Sequence, residues 1–160
     1  MLEFNRKFAN SLIEADDLWE RADHLVNIIF PVVKDPKLLI KALEALYKCV
    51  TDVISAILKF EYVYRGIELS DDADTNLNLF FEKCMKRYGI GDNKTIKEII
   101  ELGKKHKESG FEFSKNEKFV IFDDSPIEIS REKMRSYLTL TKRLLESTHR
   151  NFSANFQKGI

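Results

Sequence analysis

Residues 30–36, Phe-Pro-Val-Val-Lys-Asp-Pro, separate two long stretches in which apolar residues recur at alternating steps of three and four, with only Ser11 interrupting the first stretch. This spacing places the apolar side chains on one face of an α-helix. The connection is too short for anything but a reversal of the chain, so the sequence predicts an antiparallel helical hairpin over residues 2–64. The two rows are Phe4, Phe8, Ala15, Leu18, Ala22, Leu25 and Ile29, then Leu39, Leu43, Leu46, Val50, Val53, Ile57 and Phe60.

The two helices of this hairpin are unusually long for so small a protein. The first is expected over residues 2–30, with a second apolar row formed by Leu12, Trp19 and Val26. The second begins at Asp35-Pro36, where Asp35 suits the N-cap, and it stops near Gly66. Each would be about 40 Å long. We therefore expect a symmetric dimer in which a second copy covers part of both rows.

The rest of the chain has shorter periodic segments. An acidic connector precedes two short helices within residues 75–108, and Asp92 and Thr95 are alternative caps of the second one. The segment 111–129 loses the helical period, and residues 111–123 favour either a small β-hairpin or a loop. A last helix over residues 131–150 is capped by Ser130 and followed by a frayed tail over residues 153–160.

These elements predict an all-α protein, an antiparallel bundle of four to five helices built on the N-terminal hairpin. A length of 160 residues fits a single domain, 1–160, that buries a core without metals or disulfides. The long helical hairpin and the surface rich in Lys, Glu and Ile are similar to uncharacterised small archaeal proteins. That similarity implies a helical bundle and no particular activity.

Composition and charge exclude several functional classes. There are 26 basic and 26 acidic residues, so the net charge is zero and no overall field attracts nucleic acid or an anionic membrane. Cys49 and Cys84 lie beside apolar helical positions and are expected to be buried. No apolar segment is typical of a signal peptide or a membrane span, so we expect a cytoplasmic protein without membrane association.

The candidate site lies on the last helix, in the segment Arg143-Leu-Leu-Glu-Ser-Thr-His149. An arginine followed by five residues and a histidine resembles the catalytic signature of HEPN domains, helical bundles that often cleave RNA as dimers without a metal. The resemblance implies that His149 moves protons and that Arg143 holds phosphate charge across a dimer interface. Leu144 departs from the polar residue that often follows the arginine, and Phe152 stands in for an aromatic residue after the histidine.

No metal or cofactor is expected from the remaining residues. Glu146 and His149 form one Glu-x-x-His pair, but a di-metal bundle needs a second pair and further inward glutamates. The acidic residues around Asp72 and Asp74 resemble part of a calcium loop, which fails because Leu77 occupies the position that requires glycine. Capping of the third helix accounts for them. The exposed candidate for a binding surface is the phenylalanine-rich segment between Phe111 and Phe122.

Two functional classes remain open. One is a non-catalytic interaction module that acts as a homodimer and binds a protein partner. The other is a HEPN-like ribonuclease, or its inactive relative, that uses Arg143 and His149 on RNA. An enzyme of this class needs both side chains in one cleft, preferably at a two-fold axis.

Overall fold

The computed structural model describes residues 2–88 and 91–158, which form a mostly helical protein with one small antiparallel sheet. The all-α expectation is therefore confirmed only in this approximate form. The α-helices are α1 (Leu2–His24), α2 (Phe30–Val33), α3 (Lys37–Arg65), α4 (Ala73–Leu79), α5 (Asn93–Glu108) and α6 (Arg131–Lys158), and π-helical turns follow α1 and α4 at Leu25–Ile29 and Phe80–Cys84. The strands are β1 (Glu112–Lys115), β2 (Lys118–Asp123) and β3 (Ser125–Ile129).

Helix α3 is the centre of the core. All seven residues of its predicted apolar row are buried, and α1, α5 and α6 pack on it. Gly103 of α5 permits a close approach, since a Cβ there would lie 2.1 Å from the Tyr47 ring. Cys49 is also buried, and its Sγ donates to the carbonyl of Ala15 at 3.2 Å. The chain thus covers the α3 row by itself, and helix length gives no reason to expect a dimer there.

The first predicted helix is interrupted by a π-helical turn over Leu25–Ile29. A π-turn has more residues than an α-turn, so it rotates the following side chains around the helix axis and changes which of them face the core. As a result Val26 and Phe30 are buried, whereas Leu25 and Ile29 of the predicted row are only half-buried. Leu18 is also half-buried, and the predicted inward position of Phe4 lies outside the described side chains. The chain reverses at Lys34, which has a φ of 58°.

Local capping follows the sequence, except that α3 begins at Lys37 with Pro36 at its N-cap, one residue later than predicted. Asp35 accepts from the amide of Lys37 at 3.0 Å, and Gly66 ends α3 with a φ of 67°. Asp92, and not Thr95, caps α5, since its carboxylate accepts from both the amide and the hydroxyl of Thr95. Ser130 caps α6 through the amide of Lys133 at 3.1 Å. These bonds satisfy backbone donors that have no partner inside a helix.

The predicted hairpin over residues 111–123 forms, and a third strand extends it. β2 pairs with β1 on one side and β3 on the other, all antiparallel. Phe119, Ile121 and Ile129 of the sheet are buried among the core residues. Phe111 and Phe122 remain exposed and form a ring cluster with Phe113.

A histidine ties this sheet to the helices. His106 of α5 hydrogen-bonds Glu112 of β1 through Nδ1 at 2.6 Å and Glu44 of α3 through Nε2 at 2.7 Å. Burial opposes a charge on the ring, but the hydrogen bonds with the two carboxylates outweigh it and raise the pKa of His106.

Helix α6 is longer than the sequence predicts. It continues to Lys158, so the expected end at residue 150 is wrong. The frayed tail over residues 153–160 stays a prediction, and residues 159 and 160 lie outside the described part. The Phe152 ring stacks on Phe60 with centroids 4.2 Å apart, and Asn155 accepts from Arg65 at 3.5 Å. Contacts with α3 thus hold the last turns in place.

Candidate functional site: the α1–α6 face

The predicted site residues lie where α6 packs against α1. Trp19 of α1 donates through Nε1 to the carbonyl of Leu138 at 2.8 Å, and Asp16 lies 2.9 Å from the His149 ring. Along this contact the residue numbers of α1 rise while those of α6 fall, so the two helices run in opposite directions. Their outward sides form one surface, here called the α1–α6 face.

His149 is held by an acidic partner. Its Nε2 lies 2.9 Å from Oδ2 of Asp16, and the two side chains are 43% and 38% exposed. A carboxylate on one ring nitrogen fixes the orientation of an imidazole and leaves the other nitrogen free for a different partner. The contact joins two half-exposed side chains, the geometry of a surface ion pair.

Arg143 lies beside a separate feature, a cleft of about 380 Å³ between the two helices. The cleft is lined by Trp19 and Asp23 of α1 and by Arg135, Lys142 and Arg143 of α6, among others. His149 does not line it. On a helix, six residues correspond to about 9 Å along the axis and about 120° around it. Within one chain the structure therefore does not bring Arg143 and His149 into one cleft.

Opposite charges are arranged in two neighbouring rows on this face. The acidic row on α1 consists of Asp16, Glu20 and Asp23, spaced four and three residues apart. The basic row on α6 consists of Arg135, Lys142, Arg143 and Arg150, which are all exposed. Apart from the His149–Asp16 contact, no ion pair joins the described residues of α1 and α6. Since helical steps of three, four and seven return to one face, the α1 row is acidic, whereas Glu132 and Glu146 lie among the four cations of α6 and leave that row with a net positive charge.

Lys142 contributes to the cleft in a second way. Its Nζ lies 4.6 Å from the centre of the Trp19 ring, a cation–π contact. Trp19 itself is half-buried, and Ile13 of α1 is 55% exposed on the same side as Glu20, seven residues away. The face therefore combines unpaired charges with two apolar side chains, as protein interfaces do.

Sequence reasoning located Arg143 and His149 but missed their surroundings. Asp16 is 133 residues from His149 in the chain, and no spacing rule connects them. Trp19 was expected in an apolar row, and its hydrogen bond and cation–π contact could not be predicted from that row. The basic row itself could be detected in the sequence, because Lys142 and Arg143 follow Arg135 by seven and eight residues.

A second charged cluster is hidden at the end of α3. Glu61 is fully buried, and its Oε2 lies 2.7 Å from Arg87 and 3.3 Å from Nε of Arg65. Burial, and then the charge of Glu61, raises the pKa of the nearby Tyr88. The carbonyl of Tyr88 accepts from the Ser147 hydroxyl of α6. The cluster joins α3, α6 and the segment before α5, and we interpret it as a structural anchor.

Comparison with known proteins finds no matching family model, no matching curated protein and no matching solved structure. In the described part of the chain, no three His, Cys, Asp or Glu side chains are grouped so that they could hold a metal ion. Among the same residues, no helix is both long enough and apolar enough to cross a membrane.

Proposed function

We propose that this protein is a non-catalytic helical interaction module that acts as a homodimer, joined through the α1–α6 face. The observation that carries the proposal is the pair of neighbouring rows, net negative on α1 and net positive on α6, which the His149–Asp16 contact alone joins as an ion pair among the described residues. A second copy of the chain can place its α6 row against the α1 row of the first copy and its α1 row against the α6 row. Electrostatic complementarity of this kind selects the partner and its orientation.

The charge pattern favours one symmetry. A two-fold axis that lies in the contact plane and runs parallel to α1 and α6 brings the basic row of each copy over the acidic row of the other. An in-plane axis perpendicular to the helices would bring like rows together, which is unfavourable. In the favoured arrangement Trp19 and Ile13 supply apolar contact area from both copies.

Reversing one charge of the basic row should weaken this dimer. We expect Arg143→Glu to raise the dissociation constant by about tenfold or more, because the change occurs twice in a symmetric interface and creates repulsion. Adding Glu20→Lys in the acidic row should recover much of the affinity. Sedimentation equilibrium measures both constants, and raising the salt concentration should weaken the wild-type dimer.

Lys41→Glu is the matched control, since Lys41 is exposed on α3 and lies outside the α1–α6 face. The dissociation constant of the Lys41→Glu dimer should equal that of the wild-type dimer. A wild-type protein that remains monomeric at micromolar concentration in low salt would contradict the proposed dimer.

A second candidate is the HEPN-like ribonuclease, and the His149–Asp16 contact favours it. A half-exposed imidazole oriented by a carboxylate suits proton transfer, and Arg143 is exposed on the same helix for phosphate. A dimer through the α1–α6 face supports this candidate further, because it would bring both motif residues of each copy to the interface.

If the ribonuclease activity exists, His149→Ala should lower the rate of cleavage of single-stranded RNA by about a hundredfold or more. His24→Ala is the control, since His24 is exposed on α1 and outside the motif. Circular dichroism should be unchanged in both variants. Equal rates for the two variants, or no cleavage by the wild type, would reject the enzyme and leave the interaction module.

A further inference from the structure

One histidine ring joins three elements at the end of α5. Nδ1 of His106 lies 2.6 Å from Oε2 of Glu112 on β1, and Nε2 lies 2.7 Å from Oε1 of Glu44 on α3. The His106 side chain is 17% exposed and that of Glu112 is 20% exposed, so the contact between them is largely shielded from water. The ring thus bridges the small sheet and the central helix of the core.

Both contacts require a charged ring. An ionised carboxylate only accepts hydrogen bonds, and a neutral imidazole carries a single N–H. The imidazolium donates from both nitrogens, so it satisfies Glu44 and Glu112 at the same time. In the neutral ring one nitrogen would present a lone pair to a carboxylate oxygen at 2.6 or 2.7 Å, and that contact would become repulsive.

Strand β1 depends on this contact more than the rest of the sheet does. It pairs with β2 alone, and none of its residues is buried, whereas Phe119, Ile121 and Ile129 anchor β2 and β3 in the core. Among the described residues, the contact between His106 and Glu112 is the only ion pair or side-chain hydrogen bond that joins β1 to a helix. An edge strand with so little buried surface opens at a low cost in free energy.

The cations next to the ring on α5 interact with other groups. Lys105 pairs with Glu101 at 3.1 Å and with Asp123 of β2 at 3.5 Å. Lys107 lies 4.8 Å from the centre of the Tyr47 ring of α3. Among the described residues, neither lysine forms an ion pair with the two carboxylates that contact the ring.

On α3, Lys41 and Lys48 flank Glu44 by three and four residues. Lys48 pairs with a carboxylate one turn further along the helix at 3.2 Å, and Lys41 is exposed and makes no ion pair with the described side chains. The charges that act on the His106 ring are those of Glu112 and Glu44. Burial lowers the pKa of His106, but the hydrogen bonds with both carboxylates outweigh it and raise the pKa above its ordinary value of about 6.5.

We propose that His106 is a pH-sensitive latch: the charged ring fixes β1 to α3 and α5, and the loss of its proton releases residues 109–115 from the helices. A histidine whose pKa is raised in the folded state stabilises that state fully below the ordinary pKa, and the stabilisation is lost as the pH rises through the raised pKa. Phe111 and Phe113 lie on the released segment, so opening also disrupts their ring cluster with Phe122. No residue of the α1–α6 face takes part, so the latch and the proposed dimer stand or fall separately.

Amide hydrogen exchange with quench-flow labelling tests the latch on the intact protein, and dividing each rate by the intrinsic rate at that pH gives a protection factor. We expect the protection factors of residues 111–115 to fall by about tenfold or more from about pH 6 to about pH 9, whereas those of α3 stay constant. The NMR signals of the His106 ring should titrate with the same midpoint. Protection that is independent of pH, or that falls with the titration of His24 or His149 instead, would overturn the proposal.

Two pairs of variants assign the effect to this ring. His106→Gln has a neutral amide at every pH, so the protection of residues 111–115 should be low at about pH 6 and no longer depend on pH, whereas His24→Gln on the exposed side of α1 should behave as the wild type. Glu112→Gln keeps an acceptor for Nδ1 but removes its charge, so the midpoint should move to lower pH by about half a unit or more. Glu117→Gln makes the same change at an exposed residue between β1 and β2 and should leave the midpoint in place.

Unchanged protection of α3 confirms that each variant is folded. A pH dependence that persists in His106→Gln, or an equal shift of the midpoint in the two variants of glutamate, would show that this ring does not hold β1.

Discussion

Leu46→Asp is expected to lower the free energy of unfolding by about 4 kcal/mol or more. Leu46 has no exposed surface and lies in the middle of the α3 row, where an aspartate would place an unpaired charge among aliphatic side chains. A domain of this size is stabilised by only about 5–15 kcal/mol in total, so much of the protein should be unfolded at physiological temperature. Urea denaturation followed by circular dichroism measures the loss.

Ser55→Asp provides the comparison for that experiment. Ser55 lies on the same helix and is exposed, so the new charge stays in water and the change should cost less than about 1 kcal/mol. If Leu46→Asp were as stable as Ser55→Asp, the α3 row would not be the core of the protein.

Arg87→Ala is expected to cost about 3 kcal/mol or more, although Arg87 itself is partly exposed. The substitution removes the closer of the two cations that balance the fully buried carboxylate of Glu61. Arg65 remains at 3.3 Å and cannot replace the contact at 2.7 Å without moving. Leaving a buried charge poorly paired is among the most damaging single changes to a core, and chemical denaturation reports its size.

Two further variants separate this explanation from a general effect of losing an ion pair. Lys48→Ala breaks the exposed pair with Asp52, at 3.2 Å, and should cost less than about 1 kcal/mol. Replacing both Glu61 and Arg87 by Met removes the buried charge together with its partner and should recover most of the stability. A double variant less stable than Arg87→Ala would refute the role assigned to the carboxylate.

Much of the helical structure follows from local sequence. The α3 row is predicted correctly at all seven positions, because regular steps of three and four residues place the side chains on one face of a helix. The hydrogen bond from Lys37 to Asp35 and the Ser130 cap of α6 depend on side chains within three residues of the amides from which they accept. Even the choice between Asp92 and Thr95 was restricted to two neighbouring candidates. These features need no knowledge of the rest of the chain.

The features that the sequence did not predict depend on distant contacts. The π-turn at Leu25–Ile29 brings Phe30 into the core, and its five residues carry no signal for such a turn. Helix α6 extends past residue 150 because Phe152 reaches Phe60, almost a hundred positions away. The third strand follows a tight turn in which Asp124 has a φ of 55°, and it pairs with β2 and buries Ile129 in the core.

The candidate site shows the same division. The spacing of Arg143 and His149 can be read from the sequence of one helix. That Arg143 lines a cleft while His149 contacts Asp16 depends on how α1 packs against α6. The charge rows are local on each helix. The position of one row beside the other depends on the packing of the two helices, and this position supports the proposed dimer.

The two buried cysteines are protected from reaction with solutes in the surroundings of the protein. Burial, assisted by the charges of Asp16 and Asp52, raises the pKa of Cys49 to about 12, and burial beside Glu61 raises the pKa of Cys84 to about 11. The reactive thiolate is therefore almost absent at neutral pH, and neither sulfur is open to an oxidant from solvent. Since neither thiol takes part in a disulfide, the same fold is available in an oxidising or a reducing environment.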